Sequence, residues 1–569
     1  ADIVKGENTV PVSGHYVSTD FFQLFTFNAI SGHLNTAFDR PNSLVLTKST
    51  AAKLFTDTED PVGKILQSGD KQYTITAIIE DVPANSHFQF EALASFVTLD
   101  NKQESSYFYA WNNIWSNYVY IKLNPNESKE SVQFYLDEIA NKENKNFDQF
   151  DIHFTLEKLT NIVPGESKNN QIGTIINEED VYQLLILTMI VMFSACFNYA
   201  NLSLARVLRR SKEVGIRKTI GATGTHVFIQ FIFEAIVIAC ISLLLAYGVY
   251  ELIRPEFLNS VVDAEGIRMV FLWNNLLYFI LFAIAIGLIS GMIPSAILAK
   301  LKAIMGDAAK LKIVKGLNIR RVLLVIQFTI SMSLIIGATI SYKQYNFSLN
   351  YDLGFDTENI LNLKIAGNDS EILMTEFEKL SEVTETSRSN IIPSTGTVMT
   401  ADLKYKNPLD SFQISYNLVD KSYVSLHKFE LIAGTDFHFN VDNDNPKFVI
   451  IDESLSKRIG FTEPHKAIGE IVKIDGRSLE ISGVIRDYRY AHLESEVGAT
   501  ALIQGSEADF RYLNIAVNSK NIKPLFTNLE SSWKSIDKVH PFQARFFSEN
   551  LKDTYAHYSA MYKLFTFLG

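Results

Sequence analysis

Four stretches of this chain are nearly free of charge, and they divide it. Residues 181–205 carry no Asp, Glu, Lys or Arg in 25 positions, 269–299 none in 31 and 322–342 none in 21, while 220–250 carry one, Glu234. A helix crosses roughly 30 Å of hydrocarbon with about 20 residues. The pattern therefore predicts an α-helical membrane domain over 181–342 with four complete transmembrane helices. The loops give its direction. Segment 206–219 holds Arg206, Arg209, Arg210, Lys212, Arg217 and Lys218 against Glu213. Segment 300–321 holds Lys300, Lys302, Lys310, Lys312, Lys315, Arg320 and Arg321 against Asp307. Between the second and third spans, Glu251, Glu256, Asp263 and Glu265 outnumber Arg254 and Arg268. Lys and Arg concentrate on the cytoplasmic side of short loops. The two basic loops are expected in the cytoplasm. The flanking regions 1–180 and 343–562 are then expected on the opposite side, the periplasm of a bacterial inner (cytoplasmic) membrane.

Those flanking regions read as soluble α+β protein, and as two copies of one unit. The first contains Tyr16-Val17-Ser18, then SLVLTKSTAAKLF (43–55), DPVGKIL (60–66) and YTITAIIEDV (73–82). The second contains Tyr423-Val424-Ser425, KFVIIDESLSKRIGF (447–461), HKAIGEIV (465–472) and LEISGVIRDY (479–488) in the same order. Period-2 alternation and Gly punctuation give strand, helix, turn and two strands in each. A second shared piece, YVYIKLNPNESKESVQFYLDEI (118–139) against YLNIAVNSKNIKPLFTNLESSW (512–533), reads as a strand followed by an amphipathic helix. Residues 563–569, a largely apolar run after Lys563, read as the start of a further membrane helix. A span ahead of residue 1 would give the first copy the same flanks as the second.

Composition narrows the function classes. Mean hydropathy of +0.06 averages apolar spans with acidic soluble parts, and the net charge of −11 gives no reason to expect nucleic acid as a partner. Cys196 and Cys240 both lie inside spans, so the soluble regions have no thiol for a disulfide, a metal site or a nucleophile. The eleven histidines show no metal-binding spacing. Gly63-Lys64 lacks the upstream glycine of a phosphate-binding loop and reads as a turn. A non-catalytic chain needing no cofactor or metal is expected.

Several stretches carry a family resemblance. SKEVGIRKTIGAT (211–223) followed by HVFIQFIFEA (226–235), the helix exit IPSAILAKLKAI (293–304), and the junction around 320–347 and 352–363 are similar to FtsX-like/MacB-type ABC transporter permeases, in the two-repeat form common in Bacteroidota. Ala303 replaces a Pro usual in the exit motif. The resemblance covers essentially the whole chain and implies MacB-like periplasmic core domains and a truncation at both ends. It also implies mechanotransmission: ATP hydrolysis by a separate ABC-type ATP-binding subunit drives motion of the periplasmic domains, for export or extraction of an amphiphile, peptide or lipoprotein. The partners implied are that subunit, a second copy or a pseudo-symmetric permease, a periplasmic partner and membrane lipid. A two-repeat permease would carry a second basic segment beyond residue 569.

The candidate coupling residues are Arg210, Glu213, Val214, Gly215, Ile216, Arg217, Lys218 and Gly221. Basic residues beside a span satisfy the positive-inside rule with no further role. The alternative is a short amphipathic helix in which Glu213 pairs with Arg217, Val214, Ile216 and Ile220 offer apolar contacts to an ATPase, and Gly221 ends the helix. Glu234 is the one acid well inside a span, and pairing with the basic loop or with Gln230 and Asn198 is its expected role. Asn198, Asn201 and Gln327 are expected to satisfy one another between helices. Tyr107, Tyr109, Trp111 and Trp115 suggest an aromatic cluster in the first outer domain. A membrane-anchored periplasmic sensor or scaffold without ATP-driven cycling is the other function considered.

Overall fold

The computed structural model describes residues 2–5, 8–56, 59–83, 86–99, 109–111, 113, 116–147, 151–166, 168, 170–173, 176–261, 273–300, 307–406, 411–437, 448–495, 498–519 and 521–568. The chain divides into two compact units, Ala1–Met332 and Ser333–Gly569.

The first unit opens with an eight-stranded mixed sheet. Its strands are β1 (Asp2–Lys5), β2 (Asn8–Pro11), β3 (Gly14–Val17), β4 (Ala29–Gly32), β5 (Ser43–Thr47), β6 (Ile65–Ser68), β7 (Lys71–Ile79) and β8 (Ala92–Ser95). They run β2-β1-β6-β7-β5-β8-β3, with β4 on β7. Strand β5 is buried along its whole length because both faces are covered. Leu44 and Leu46 join Leu66, Tyr73 and Ile75 on one side, while Val45 joins Phe38, Ala77 and Leu93 on the other. Helices α1 (Phe21–Leu24) and α2 (Lys48–Leu54) complete this layer, and α3 (Lys129–Glu143) follows.

Then come α4 (Glu178–Thr219), α5 (Gly224–Val261), α6 (Trp273–Ala299) and α7 (Asp307–Leu349). Each contains a stretch long and apolar enough to cross a membrane: Glu178–Arg206, Gly224–Arg254, Asn275–Ala299 and Arg321–Leu349. Residues 269–272 of the third expected span lie outside the described residues. Gly287 and Gly291 let α6 approach α5 closely, since a Cβ at either would meet Ile236 at 2.7 Å or Ala235 at 2.8 Å. Small residues spaced by four are the usual means of close helix contact in lipid. The boundary between the units falls within α7.

The second unit contains an eleven-stranded sheet. Its strands are β9 (Ile360–Lys364), β10 (Val383–Ser389), β11 (Met399–Lys404), β12 (Ser411–Val419), β13 (Leu431–Gly434), β14 (Phe448–Asp452), β15 (Ile471–Ile474), β16 (Arg477–Ile485), β17 (Thr500–Gln504), β18 (Tyr512–Val517) and β19 (Ala544–Phe546). Helix α8 (Ser370–Phe377) precedes β10, α9 (Tyr423–Leu426) follows β12, and α10 (Glu453–Arg458) follows β14. Helix α11 (Ile522–Ile536) buries Leu525, Leu529 and Trp533, one residue per turn, against β9 and β18. Helices α12 (Phe547–Thr554) and α13 (Ala556–Leu568) end the unit, with the Tyr562 ring 5.6 Å from Tyr342 on α7.

The duplication extends to single residues. Strand β5 lies parallel to β7 with Leu44 opposite Ile75 and Val45 opposite Ala77, skipping Thr76. Strand β14 lies parallel to β16 with Val449 opposite Ile481 and Ile450 opposite Gly483, skipping Ser482. Gly32 and Gly434 end β4 and β13 at φ of 85° and 75°, and a Cβ on either would come within 2.3 Å of a carbonyl oxygen of the facing strand. This register corrects one expected match. Counting back from those glycines, Tyr423 on α9 corresponds to Phe21 on α1, and Tyr16 corresponds to Leu418. A Tyr-Val-Ser triplet occurs in both copies, but at positions five residues apart in the fold.

A second correction concerns 118–123, which forms no strand and leaves Val119 82% exposed. Its counterpart β18 is held between β9 and β10. Among the described residues of the first unit no such flanking strands exist, so the apolar alternation has nothing to pair with. Tyr109 packs on Phe96 at 5.8 Å and Trp111 on Phe154 at 6.2 Å, while Tyr107 and Trp115 lie outside the described residues. The expected aromatic cluster is thus represented by two separate contacts.

Candidate functional site

The basic segment is not a separate short helix. It forms the last turns of α4, whose 42 residues extend about 63 Å at 1.5 Å per residue, twice the hydrocarbon thickness. Nothing in 206–219 interrupts a helix strongly; Gly215 is the weakest former there, and the Arg, Lys, Leu and Glu residues of the segment are good ones. The ends also suit the helix dipole. Asn177 caps the start by accepting from the Glu179 N–H, three acids occupy the first turn, and Arg217 and Lys218 occupy the last.

Gly221 ends the helix as expected. At φ of 107° its N–H donates to the Lys218 carbonyl at 3.1 Å, and the Ala222 N–H donates to the Arg217 carbonyl at 3.0 Å. This paired arrangement is the Schellman motif, which favours glycine because its backbone is left-handed. The chain then turns directly into α5.

The turn brings polar groups of the two helices together. Arg210 and Glu234 each stand twelve residues from Ala222, so they meet at one level. Both terminal nitrogens of Arg210 donate to the Glu234 carboxylate at 2.7 Å. The guanidinium also lies 5.1 Å from the Phe231 ring. A bidentate, stacked pair of this kind fixes orientation as well as distance. One turn-pair further down, Arg217 donates to Glu213 at 2.6 Å and also to Gln230. Glu213 and Arg217 are therefore paired as their spacing predicts. The Lys218 ammonium donates to the Ala299 carbonyl at 2.7 Å, which caps the end of α6. Three helix ends are thus tied at one site.

Val214 belongs to this clamp and not to an outward surface. It is 2% exposed, packed in a cluster that includes Ala200, Leu204, Val227, Phe231 and Leu298. Its expected role as a docking contact is corrected on that ground. Ile216 and Ile220 are the opposite case, 61% and 83% exposed, beside the Gly221 turn. Side chains at 207–209, 211 and 212 lie outside the described residues.

Glu234 and Gln230 find partners in the basic segment, whereas Asn198 is exposed and joins neither. Among the described residues no hydrogen bond links Asn198, Asn201 and Gln327. Asn201 is buried with neither amide atom bonded, against expectation. Phe231 and the Ala299 carbonyl were not singled out from the sequence. The spacing held the signal: Arg210, Val214 and Arg217 form one helical stripe, and Val227, Gln230, Phe231 and Glu234 form the stripe facing it. Among the described residues no group of three His, Cys, Asp or Glu could hold a metal ion.

Known proteins resemble both the sheet domains and the helices that carry this clamp. Residues 2–139 and 322–522 match the MacB-like periplasmic core domain, more than half of the chain, and 185–303 match the FtsX-like permease C-terminal domain. The macrolide export ATP-binding/permease protein MacB of Haemophilus ducreyi is 25% identical over 298 residues, covering 51% of this chain and 39% of that protein. The uncharacterized ABC transporter permease YknZ of Bacillus subtilis is 34% identical over 104 residues, covering 18% of this chain and 25% of that one. The chain thus spans less than half the length of these relatives. Among solved structures, the periplasmic region of MacB from Actinobacillus actinomycetemcomitans is 15% identical with a TM-score of 0.28, covering 36% of this chain and 96% of that one. The extracellular domain of YknZ from Gram-positive bacteria is 13% identical with a TM-score of 0.23, covering 32% and 94%.

Proposed function

The chain belongs to the family of ABC transporter permeases with MacB-like periplasmic core domains and an FtsX-like permease domain, and from that premise we propose that it works by mechanotransmission. In this reading it is a non-catalytic subunit of a bacterial inner membrane, with its sheet domains in the periplasm and the α4–α5 turn in the cytoplasm. A separate ATP-binding subunit docks at that turn. Its hydrolysis cycle moves the periplasmic domains to export or extract an amphiphile, peptide or lipoprotein, as part of a homodimer or a pseudo-symmetric pair.

The observation that supports this best is the clamp at the end of α4. A lever must not bend at the point where force enters it. Arg210–Glu234 and Arg217–Gln230 join α4 to α5, and Lys218–Ala299 joins α4 to the end of α6, so a push at the turn moves three helix ends together. The exposed Ile216 and Ile220 give the partner an apolar foothold just beyond the clamp. Docking is therefore assigned to Ile216, Ile220 and the Gly221 turn, with Glu213 and Arg217 at its edge. Arg210, Val214, Lys218, Gln230 and Glu234 hold the lever stiff. The Glu234 carboxylate is committed to Arg210, which argues against a role in carrying ions.

The test is ATPase stimulation by the full-length permease in lipid nanodiscs with its ATP-binding subunit. Ile216→Asp/Ile220→Asp is expected to reduce co-purification and stimulated turnover at least tenfold. The exchange Glu213→Arg/Arg217→Glu keeps an ion pair and is expected to cost less. Full stimulation in the isoleucine variant, or no associated ATP-binding subunit, would leave a membrane-anchored sensor or scaffold as the better account.

A further inference from the structure

We propose that the first sheet domain holds a binding pocket for an uncharged aromatic or alicyclic amphiphile, a pocket that its second copy has closed. A cavity of about 260 Å³ opens against the face of that sheet, with Leu44, Leu66, Ala92 and Ala94 in its wall. At its edge the hydroxyls of Tyr16 and Tyr73 lie 2.8 Å apart. Tyr16 is 40% exposed, so the pocket is reachable from solvent.

The internal duplication shows what the same site looks like when filled. Gly14 faces Ala92 as Tyr416 faces Ala501, and Leu44 faces Ala94 as Val449 faces Ile503. Leu66 pairs with Tyr73 as Val472 pairs with Leu479, and Ser68 pairs with Lys71 as Ile474 pairs with Arg477. Position by position, Gly14, Ser68 and Ala94 replace Tyr416, Ile474 and Ile503. In the second sheet Ile474 and Ile503 are core residues, and Tyr416 packs against the same cluster. The first sheet lacks all three fillers at one place.

It also gains two polar groups there. Tyr16 and Tyr73 stand where the second sheet has Leu418 and Leu479, both part of that core. A mere packing defect would need no hydroxyls. The paired hydroxyls of Tyr16 and Tyr73 place polar groups at the edge of an apolar hole, where a guest with one polar group can meet them. Among the described residues no Asp, Glu, Lys or Arg lines the cavity, and burial holds the His15 imidazole below its ordinary pKa and so neutral. At about 30 Å³ per water molecule, the volume suits a guest of on the order of ten non-hydrogen atoms.

The probe is 5-fluoroindole, which has an apolar ring, one N–H donor and no charge. Binding is followed by ¹⁹F NMR on the full chain in lipid nanodiscs, with empty nanodiscs subtracted. A saturable shift with a dissociation constant at or below the millimolar range is expected. Tyr73→Phe, which changes shape little, should weaken binding at least threefold. Ser68→Ile/Ala94→Ile, which restores the fillers of the second sheet, should abolish it. If that double variant does not fold, Tyr16→Leu serves in its place and should also weaken binding at least threefold. Absence of a saturable signal above the nanodiscs overturns the proposal, as does unchanged affinity in Tyr73→Phe together with either of the other variants.

Discussion

The two sheets differ most where their backbones agree best. Strands β5 and β14 each lie between a parallel and an antiparallel neighbour, and each parallel partner skips one residue at the same place. On that shared frame the second sheet packs Ile474, Ile503 and Tyr416 where the first has Ser68, Ala94 and Gly14. The second unit also adds a layer: α8 and α11 cover β9 and β18, with Trp533 at its centre. In the first unit α3 buries Ala140 alone and leaves Phe134, Tyr135 and Ile139 exposed. Strand pairing therefore defines the repeat, and side-chain volume has been free to diverge within it. One copy is built for stability and the other keeps open space.

The widest separation between the copies should come from their matched helices. Trp533→Ala removes a fully buried ring and its bond from the indole N–H to the His540 carbonyl, 2.9 Å long. It should cost about 3–5 kcal/mol. Tyr135→Ala, at a residue 60% exposed, should change stability by no more than about 0.5 kcal/mol. Denaturant unfolding with hydrogen exchange resolves the two, and equal losses would break the comparison. The glycines test the opposite point, that the frames are equivalent. Gly32→Ala and Gly434→Ala each force a Cβ against a carbonyl oxygen at positive φ, and each should cost about 2–4 kcal/mol. Tolerance at one site alone would show that the shared register is not shared strain.

Acid should then separate the units chemically. Seven residues before each of those glycines stand Phe25 and His427. His427 is 1% exposed, with Nδ1 bonded to the Asp356 carbonyl at 3.0 Å and Nε2 buried without a partner. Burial pushes its pKa down to about 4, against the smaller opposing effect of the Asp356 bond. Below about pH 6.5 the unfolded chain takes up a proton that the folded chain refuses. Stability of the second unit should therefore fall as pH drops from 6.5 to 4, by at most about 3 kcal/mol. Asp420 and Asp452, raised by burial to about 6 and about 7, act in the opposite sense over an overlapping range. The measurement is accordingly the difference in pH slope between the wild type and His427→Phe, the residue type of the first copy. Parallel slopes would remove His427 from the account.

Much of this plan was legible in the sequence, for physical reasons that also explain the misses. The apolar spans, the Glu213–Arg217 pair and the Gly221 stop are local properties of a helix. The duplication was legible because strands covered on both faces need continuous apolar runs, as in 43–47 and 448–452. The burial of Val214 is not legible in the sequence, because a stripe that faces a neighbouring helix and one that faces a partner look alike until the neighbour is known. Residues 118–123 alternate as a strand should, but a strand requires an adjacent edge, and the sequence does not state what is adjacent. Tyr16 and Tyr423 begin the same triplet of letters, whereas register depends on Gly32 and Gly434. The cavity was invisible because it consists of residues that are small relative to their counterparts, and that contrast requires the correct register.

The smallest expected effect is also the most specific. Ala94→Ile alone places the Ile503 side chain in the first sheet without altering the backbone or the tyrosine pair. If the space beside Ala94 is open, three added carbons should be accommodated and the first unit stabilised by about 1 kcal/mol, since the gain from burial is offset by lost rotamer freedom and imperfect fit. The same change in a packed core would instead cost about 1–3 kcal/mol through overpacking. The sign of the shift in melting temperature thus distinguishes an open first sheet from a closed one without any ligand. A gain would mean that the first copy forgoes stability that its own repeat shows to be attainable, which is expected where open space serves binding and unexpected where it serves nothing.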